Sequence, residues 1–347
     1  MELTENLFGQ TFNSKNRIHK FDNLKGFAIF LIVLGHFLFL TDYKNILVLR
    51  NFIYIFHLPI FFFVAGYFSK IDSSQPLKSF KRLIVPYILF TILYSFFFSY
   101  TKVTTSIFLI PLFGLWFLLA LFFMKMALPI VNKFKYPLIL SIIVALLFGM
   151  IKYDGDILGL SRTVVFFPAF LIGFYFNDYK SKLESNYKRF SDLLNNKRFI
   201  IVLSVVVLII SVILAFKLSF TSIMMRSYYK NHYLFNISVR FLIISIGIII
   251  TLILNRYMTN EPCFLSKWGR NSMAIYIFHI GIYLIIRKFF KRFVKVFINS
   301  NGGLVSLAII LLLTIVVVTV LSSDVISNAY NKFIDFICNI FIKDIKD

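Results

Sequence analysis

The chain alternates between long apolar segments and short polar ones along most of its length. A helix needs about 20 apolar residues to cross a bilayer, with a range of roughly 17–25. About ten segments fit this pattern, although the fifth is short enough to be a re-entrant segment. We therefore predict an all-α, polytopic membrane bundle with about ten transmembrane helices. The predicted spans are 24–41, 50–69, 80–100, 108–128, 136–151, 162–177, 198–218, 234–255, 271–287 and 303–324.

The composition agrees with this pattern and excludes several other protein classes. Hydrophobic residues make up 59% of the 347 residues, and charged residues make up only 15%. Soluble globular domains carry roughly 25% charged residues. A disordered chain, a coiled coil and an ordinary soluble enzyme are therefore excluded.

The charges predict an orientation in the membrane. The chain has 37 Lys and Arg residues against 15 Asp and Glu, a net charge of +22. In a soluble protein this excess would indicate nucleic-acid binding, but here we assign it to cytoplasmic loops and anionic headgroups. With both termini cytoplasmic, the predicted inner loops carry 22 of the 37 cations and the outer loops carry 13. The predicted outer loop 287–302 carries five cations, so either a span is miscounted or this loop has a role at the outer face.

No predicted loop is long enough to hold a soluble domain, so we expect the chemistry to take place within the bundle. We predict a cytoplasmic N-terminal segment over 1–20, a single membrane domain over 21–330 and a cytoplasmic C-terminal tail over 331–347. The two cysteines, Cys263 and Cys338, lack metal-site or redox spacing. We predict no metal site, and the oligomeric state stays open.

Buried histidines are the strongest candidates for chemistry, because the predicted spans contain almost no acidic residues. Histidine accepts and donates protons near neutral pH. His36, His57 and His279 lie within predicted spans, where ionisable residues are costly and are functional candidates. For each of them, a structural histidine hydrogen-bonded to a neighbouring backbone is the alternative.

His36 is favoured by its relation to Lys25. The two positions are eleven apart, which is close to three helical turns, so they share a face about 16 Å apart. We expect Lys25 at the inner interface and His36 near the middle of the bilayer. An anionic cofactor could bind Lys25 through its phosphates and reach His36 with its other end. A snorkelling lysine and a structural histidine are the alternative.

Other polar residues in the spans suggest further binding roles. Arg82 opens the third span at the predicted inner face, where it suits a phosphate or a basic membrane anchor. Arg162 opens the sixth span at the predicted outer face, where it suits an acceptor group or a lipid headgroup. Trp116 lies at a predicted span end, where anchoring in the aromatic belt is the default. His57 lies two residues before Pro59, which would kink its helix.

Several of these segments, in this order, resemble the membrane acyltransferase family 3, and most closely its fucose 4-O-acetylase-like branch. The usual arginine and histidine pair of the family's first helix, separated by ten residues, corresponds to Lys25 and His36, so lysine replaces arginine. The Ser-Gly-Phe block of the second helix reads Ala65-Gly66-Tyr67 here. The resembling segments are 22–36, 56–67, 82–87, 115–118, 161–173 and 268–279.

The resemblance implies an integral membrane O-acyltransferase in the plasma membrane of a bacterium. It would move an acetyl group from cytoplasmic acetyl-CoA, the acyl donor, to a sugar hydroxyl of a cell-surface or exported polysaccharide or of a lipid-linked saccharide. A membrane transporter or flippase for a lipid-linked glycan or another anion is the alternative. The expected site residues are His36 and His57 for catalysis, Lys25, Arg82 and Arg17 for the donor, and Arg162, Trp116 and His279 for the acceptor.

Overall fold

The computed structural model describes residues 4–5, 11–12, 17–98, 106–151, 157–225, 232–300 and 302–342. These residues form a helical bundle with eight helices that are long and apolar enough to cross a membrane, and two shorter apolar helices. In chain order the helices are α1 (His19–Leu40), α2 (Lys44–Tyr67), α3 (Gln75–Phe98), α4 (Trp116–Val131), α5 (Pro137–Met150), α6 (Ile157–Phe174), α7 (Phe176–Asn186), α8 (Lys188–Asn195), α9 (Lys197–Lys217), α10 (Tyr233–Tyr257), α11 (Phe264–Arg270), α12 (Ser272–Phe289), α13 (Gly303–Leu321) and α14 (Asp324–Phe341).

Several short elements complete the described part of the chain. Two strands of two residues each, Thr4–Glu5 and Thr11–Phe12, pair in antiparallel fashion near the N-terminus. Single helical turns lie at Ser106–Leu109, Phe220–Ile223 and Lys291–Phe293, and a π-helical turn follows at Val294–Ile298. The rest of the predicted N-terminal segment before residue 17, and residues 343–347 of the predicted tail, lie outside the described residues.

The prediction of a polytopic helical bundle is confirmed, but in the described part of the chain eight helices, rather than about ten, are long enough to cross a membrane. The fourth and fifth predicted spans correspond to the two shorter apolar helices, α4 and α5. The fourth span was placed too early, since its helix begins at Trp116 rather than at 108. Two features near its start are incompatible with a regular helix. Pro111 lacks a backbone N–H, and Phe113 adopts a left-handed conformation with φ of 43°.

Helix α1 forms the centre of the bundle and packs against α2, α11, α12 and α13. In its most apolar 18-residue stretch 83% of the residues are buried, compared with 22% in α9. Helix α9 therefore presents most of its apolar surface to the outside, as a lipid-facing helix does. A residue on α1, in contrast, contacts other helices in nearly every direction.

Two pairs of helices approach closely through glycines. On α1 and α11, a Cβ atom at Gly26 would overlap the Leu265 carbonyl, and one at Gly269 would overlap the Asp22 carbonyl. On α2 and α6, Gly66 and Gly173 have the same reciprocal relation to the backbone of the partner helix. Small residues at such crossings let helix backbones come into contact in the membrane.

The two ends of α1 mark two faces of the bundle. We call the end that carries Asp22 and Lys25 the Lys25 face, and the opposite end the Asp42 face. Helix α11 covers the Lys25 face, and the end of α12 lies beside Asp42. The assignment of the Lys25 face to the cytoplasm stays a prediction from the loop charges.

The sequence pattern missed helix α14. The predicted boundary at 330 falls inside this amphipathic helix, which buries Tyr330 and Ile334 against the bundle. Its N-terminal Asp324 lies 3.6 Å from Arg270 of α11. Residues 331–341 therefore continue the folded unit, and their cytoplasmic location stays a prediction.

Candidate active site

Two histidines from distant parts of the chain meet in the bundle. His36 Nδ1 on α1 lies 2.7 Å from His279 Nε2 on α12. The two rings are nearly parallel, at an angle of 15°. On its other side, His279 Nδ1 lies 2.9 Å from the carbonyl oxygen of Ile275. The result is a chain of hydrogen bonds from a backbone carbonyl through His279 to His36.

This hydrogen-bond chain assigns the protons of both imidazoles. A carbonyl oxygen can only accept, so His279 Nδ1 carries a proton. In a neutral imidazole the other nitrogen then accepts, and His279 Nε2 receives a hydrogen bond from His36 Nδ1. The Nε2 atom of His36 is left with its lone pair. This is the tautomer that a general base needs, held in place by a second residue.

His36 is also the most accessible of the three histidines in the apolar helices. It is partly exposed, whereas His279 and His57 are 0% and 2% exposed. The sequence placed His36 near the middle of its span, but it lies in the last α-helical turn of α1, four residues before Leu40. That separation is about 6 Å along the helix axis. A substrate entering at the Asp42 face would therefore reach His36 after about one turn.

His57 repeats the local geometry of His279. Its Nδ1 donates a 2.8 Å hydrogen bond to the carbonyl oxygen of Ile53, four residues earlier. The two histidines end identical pentapeptides, Ile-Tyr-Ile-Phe-His at 53–57 and 275–279. His57 packs edge-on against Tyr54, with ring centroids 4.6 Å apart, and lies within electrostatic range of His36. The structure thus brings His57 into the neighbourhood of the His36–His279 pair.

Aromatic side chains surround the pair. The Phe113 ring lies 4.6 Å from the His36 ring, and the Tyr54 ring lies 6.3 Å from it. Gly114 leaves space beside the imidazole, since a Cβ atom there would lie 3.3 Å from His36 Cε1. Tyr276 donates a hydrogen bond to the Gly114 carbonyl oxygen. These contacts fix the loop before α4 against His36.

Arg162 and Trp116 form one buried unit. The Arg162 guanidinium lies over the Trp116 ring, 3.8 Å from its centroid. Only 3% of Arg162 and 4% of Trp116 are exposed, so the alternatives of a headgroup contact and of an aromatic-belt anchor are both wrong. The guanidinium lies within electrostatic range of the Tyr54 and Tyr276 phenols. Arg162 thus supplies a buried positive charge beside the histidine site.

At the other end of α1, Lys25 is buried in an ion-pair cluster. Its Nζ lies 2.9 Å from Asp22 Oδ1, and Arg17 Nε lies 2.5 Å from Asp22 Oδ2. The Lys25 side chain is only 1% exposed. Because Asp22 already pairs with both cations, a phosphate would have to compete with this carboxylate for them. Asp22 lies just before the predicted first span, and nothing in the sequence pattern predicted this pairing.

Arg82 lies in a second ion pair. Its Nη1 is 3.5 Å from Asp335 of α14, and 29% of its side chain is exposed. Arg82 thus contacts helix α14, which the sequence pattern did not predict. The structure joins Arg17 and Lys25 through Asp22, and it brings His36, His57, His279, Arg162 and Trp116 together as a separate group.

Three further residues of the site were not foreseen. Tyr54 and Tyr276 each lie three residues before a histidine, so each shares a helix face with it. The repeated pentapeptide was the signal that could have revealed both. Phe113 carried no such signal, because its role depends on the loop conformation. Among the described residues, no group of three or more His, Cys, Asp or Glu side chains could hold a metal ion.

The site lies within a segment that matches a known protein family. The family model of the acyltransferase 3 family, described as an acyltransferase domain, matches residues 18–323. We found no match among curated proteins or among solved structures. The matched segment contains every residue of the histidine site and most of the helical bundle. The chain therefore belongs to the acyltransferase 3 family of membrane acyltransferases.

Proposed function

We propose that the protein transfers an acetyl group from acetyl-CoA to a hydroxyl group of a sugar. The observation that carries this proposal is the His36–His279 pair, an oriented and partly accessible base in a member of an acyltransferase family. Acyl transfer to an alcohol needs a base for the hydroxyl proton, and an imidazole with an available Nε2 supplies it.

In the proposed reaction, His36 Nε2 accepts the proton of the sugar hydroxyl while the oxygen attacks the thioester carbonyl carbon. The carbon–sulfur bond breaks, and the departing CoA thiolate takes the proton back from the imidazolium. His279 stabilises the imidazolium as it forms, because its Nε2 accepts the hydrogen bond from His36 Nδ1. We therefore assign His279 an orienting role rather than the acceptor-binding role expected from the sequence. His57 is proposed to relay a proton next to the pair.

The donor is proposed to bind at the Lys25 face. Arg17 and Lys25 would hold the CoA phosphates, and Lys25 would exchange Asp22 for a phosphate oxygen. Arg82 is a further candidate for this contact. The pantetheine arm would then cover the distance of about 16 Å from Lys25 to His36. The loop charges favour the cytoplasm as the side from which acetyl-CoA enters.

The acceptor is proposed to be a sugar of a cell-surface or exported polysaccharide or of its lipid-linked precursor, reached from the Asp42 face. Arg162 and Trp116 would hold it beside His36. A location in a bacterial plasma membrane and the fucose 4-O-acetylase-like branch stay part of this proposal, resting on the residues quoted above.

The test uses purified protein in proteoliposomes with labelled acetyl-CoA and an extract of lipid-linked glycans. We expect CoA release that depends on the glycan, label in the glycan fraction, and loss of both in the His36→Asn variant. Glycan movement across the bilayer without acetyl-CoA consumption would instead establish the transporter alternative. Native-rate transfer by His36→Asn would contradict the role of His36.

A further inference from the structure

A polar pocket opens at the Asp42 face, close to His36. It has a volume of about 580 Å³, which falls within the range of small-molecule sites. Two cations from the end of α12 and the following turn, one carboxylate, one amide and one hydroxyl line it. The residues that matter are Phe39, Asp42, Arg287, Lys291, Asn299 and Ser300.

The pocket is a built site rather than a gap between loops. Asn299 accepts a hydrogen bond from the Asp42 backbone N–H at 3.2 Å and donates one to the Leu40 carbonyl at 3.2 Å. Tyr43 donates a hydrogen bond to the Asn299 carbonyl at 3.1 Å and accepts one from the Gly302 N–H at 3.1 Å. These bonds fix the segment after Lys291 onto the end of α1.

The side chains of the pocket match an anionic sugar. Arg287 and Lys291 supply two positive charges, which suit a carboxylate or a phosphate. Asp42, Asn299 and Ser300 supply the mixed acceptors and donors that sugar hydroxyls need. A neutral sugar would not pair with the two cations, and a bare anion would offer no hydroxyl groups to Asp42, Asn299 and Ser300.

Contacts connect the pocket to the proposed base. Arg287 Nη1 lies 3.5 Å from the Tyr283 hydroxyl, and Tyr283 stacks on Phe113 with ring centroids 4.8 Å apart. Phe113 in turn lies 4.6 Å from His36. Phe39, which lines the pocket, follows His36 by three residues on the same helix. The pocket thus adjoins the end of α1 that carries His36, since Phe39 lies about one helical turn after it.

The same site accounts for the loop that breaks the charge rule. Residues 287–302 carry five cations on the predicted outer side, where such residues are disfavoured. Binding of an anionic ligand by this loop would account for these cations. Two of these cations, Arg287 and Lys291, line the pocket.

We infer that this pocket binds an anionic saccharide, a sugar bearing a carboxylate or a phosphate, and that this saccharide is the acceptor. The second half of the inference rests on the proposed function, whereas the binding itself does not. An anionic lipid headgroup shares part of this chemistry but lacks an extended row of ring hydroxyls, so the test separates the two.

The test compares two probes in nanodiscs of zwitterionic phosphatidylcholine without acyl-CoA. The probes are trigalacturonate and its methyl ester, which have the same sugar rings and differ in charge. By calorimetry, we expect wild-type protein to bind trigalacturonate at least about tenfold more tightly than the ester. Arg287→Gln and Lys291→Gln should each weaken that binding by about tenfold. Lys288→Gln is the matched control and should not, because its Nζ points to the Phe97 carbonyl at 3.2 Å and not into the pocket.

Each outcome decides the inference. Equal affinity for the acid and the ester, or equal loss in Lys288→Gln, would overturn it. A different result would assign the pocket to a lipid headgroup and also overturn the inference. In it, wild-type protein would retain phosphatidylglycerol in native mass spectrometry, Arg287→Gln would lose this lipid, and neither protein would bind trigalacturonate. Acyl transfer to neutral glycans with unchanged rates in Arg287→Gln would overturn the inference and leave the proposed function intact. Charge-dependent binding without any acyl transfer would confirm the site and contradict the proposed function.

Discussion

The proposed chemistry depends on His36, and His36 can act as a base because His279 holds its imidazole in one orientation and one tautomer. A lone imidazole in an apolar bundle can rotate and exchange tautomers. Here the Ile275 carbonyl fixes His279, and His279 fixes His36 at 2.7 Å. The same backbone contact at Ile53 fixes His57. The site thus obtains its proton arrangement from two helix carbonyls.

Removing the base should abolish most of the activity. His36→Asn is expected to lower kcat by a factor of about 10²–10⁴, the usual contribution of a general base. His279→Gln, which removes only the orienting partner, is expected to lower kcat by about tenfold, or roughly 1.4 kcal/mol of transition-state stabilisation. The measurement is acetyl transfer at saturating acetyl-CoA.

The control for these variants is His232→Asn. His232 is exposed and adopts a left-handed conformation with φ of 54°, which asparagine tolerates. The His232→Asn variant should retain the wild-type rate of acetyl transfer. A His279→Gln variant with wild-type kcat would show that the hydrogen bond to His36 does not support catalysis.

The buried cluster at Lys25 makes a separate prediction about stability. Asp22→Asn is expected to cost about 3–5 kcal/mol, because it leaves a buried positive charge without its carboxylate. Lys25→Met should cost less, since Arg17 still pairs with Asp22. Thermal unfolding in detergent is the measurement.

Lys180→Met is the matched control for this cluster. Its ion pair with Glu184 spans 4.0 Å between largely exposed side chains, and such pairs contribute about 0–1 kcal/mol. If Asp22→Asn and Lys180→Met lowered Tm equally, the buried cluster would not stabilise the fold. A raised KM for acetyl-CoA in Lys25→Met, at unchanged Tm, would in addition support the donor contact.

At the scale of elements, two glycine-mediated helix crossings position the site. The crossing of α1 and α11 fixes the position of α1 along its axis relative to α11. The crossing of α2 and α6 fixes the position of Arg162 on α6 relative to Tyr54 on α2. At both crossings the neighbour of the glycine is backbone, which cannot rotate away. The helix positions therefore depend on having no side chain at these points.

Enlarging these glycines should destabilise the bundle. Gly66→Ala and Gly173→Ala are each expected to cost about 1–3 kcal/mol, the usual range for overpacking. The yield of monodisperse protein in fluorescence-detected size-exclusion chromatography is the measurement. Gly303→Ala is the control, because its nearest neighbour, the Tyr43 ring, lies 3.8 Å away. Equal yields for all three variants would contradict close backbone contact at this crossing.

At the scale of the whole molecule, the bundle separates the ion pairs of the Lys25 face from the polar pocket of the Asp42 face. The Lys25 face carries ion pairs that a phosphate would have to open. The Asp42 face carries the pocket beside His36. If the two substrates approach from opposite sides, acyl transfer and passage of the acyl group across the bundle become the same event.

Cysteine labelling tests this orientation. Asn45→Cys lies in an exposed position near the Asp42 face, and Ser73→Cys in an exposed loop between α2 and α3. A membrane-impermeant maleimide should label Asn45→Cys in intact cells, and Ser73→Cys only after permeabilisation. The unmodified chain, with Cys263 and buried Cys338, gives the background. Labelling of Ser73→Cys in intact cells would reverse the predicted topology.

The sequence by itself determined the helical bundle and predicted His36 as the candidate base. Ten apolar segments of membrane-spanning length leave few other folds, and hydrophobic patterning is a local property that survives without tertiary information. The scarcity of acidic residues in the spans is likewise visible without tertiary information, and it favours histidines such as His36 as the groups that exchange protons. The pattern of long apolar segments did not predict helix α14, because an amphipathic helix at the edge of a bundle has no long apolar run.

Only the tertiary structure decided how the candidates are grouped. His36 and His279 are 243 residues apart in the chain, and no spacing rule connects them. The burial of Lys25 against Asp22, the stacking of Arg162 on Trp116 and the pocket around Arg287 likewise depend on which helices pack together. A sequence shows which side chains a helix carries on one face, but the partner of that face is set by contacts between distant segments.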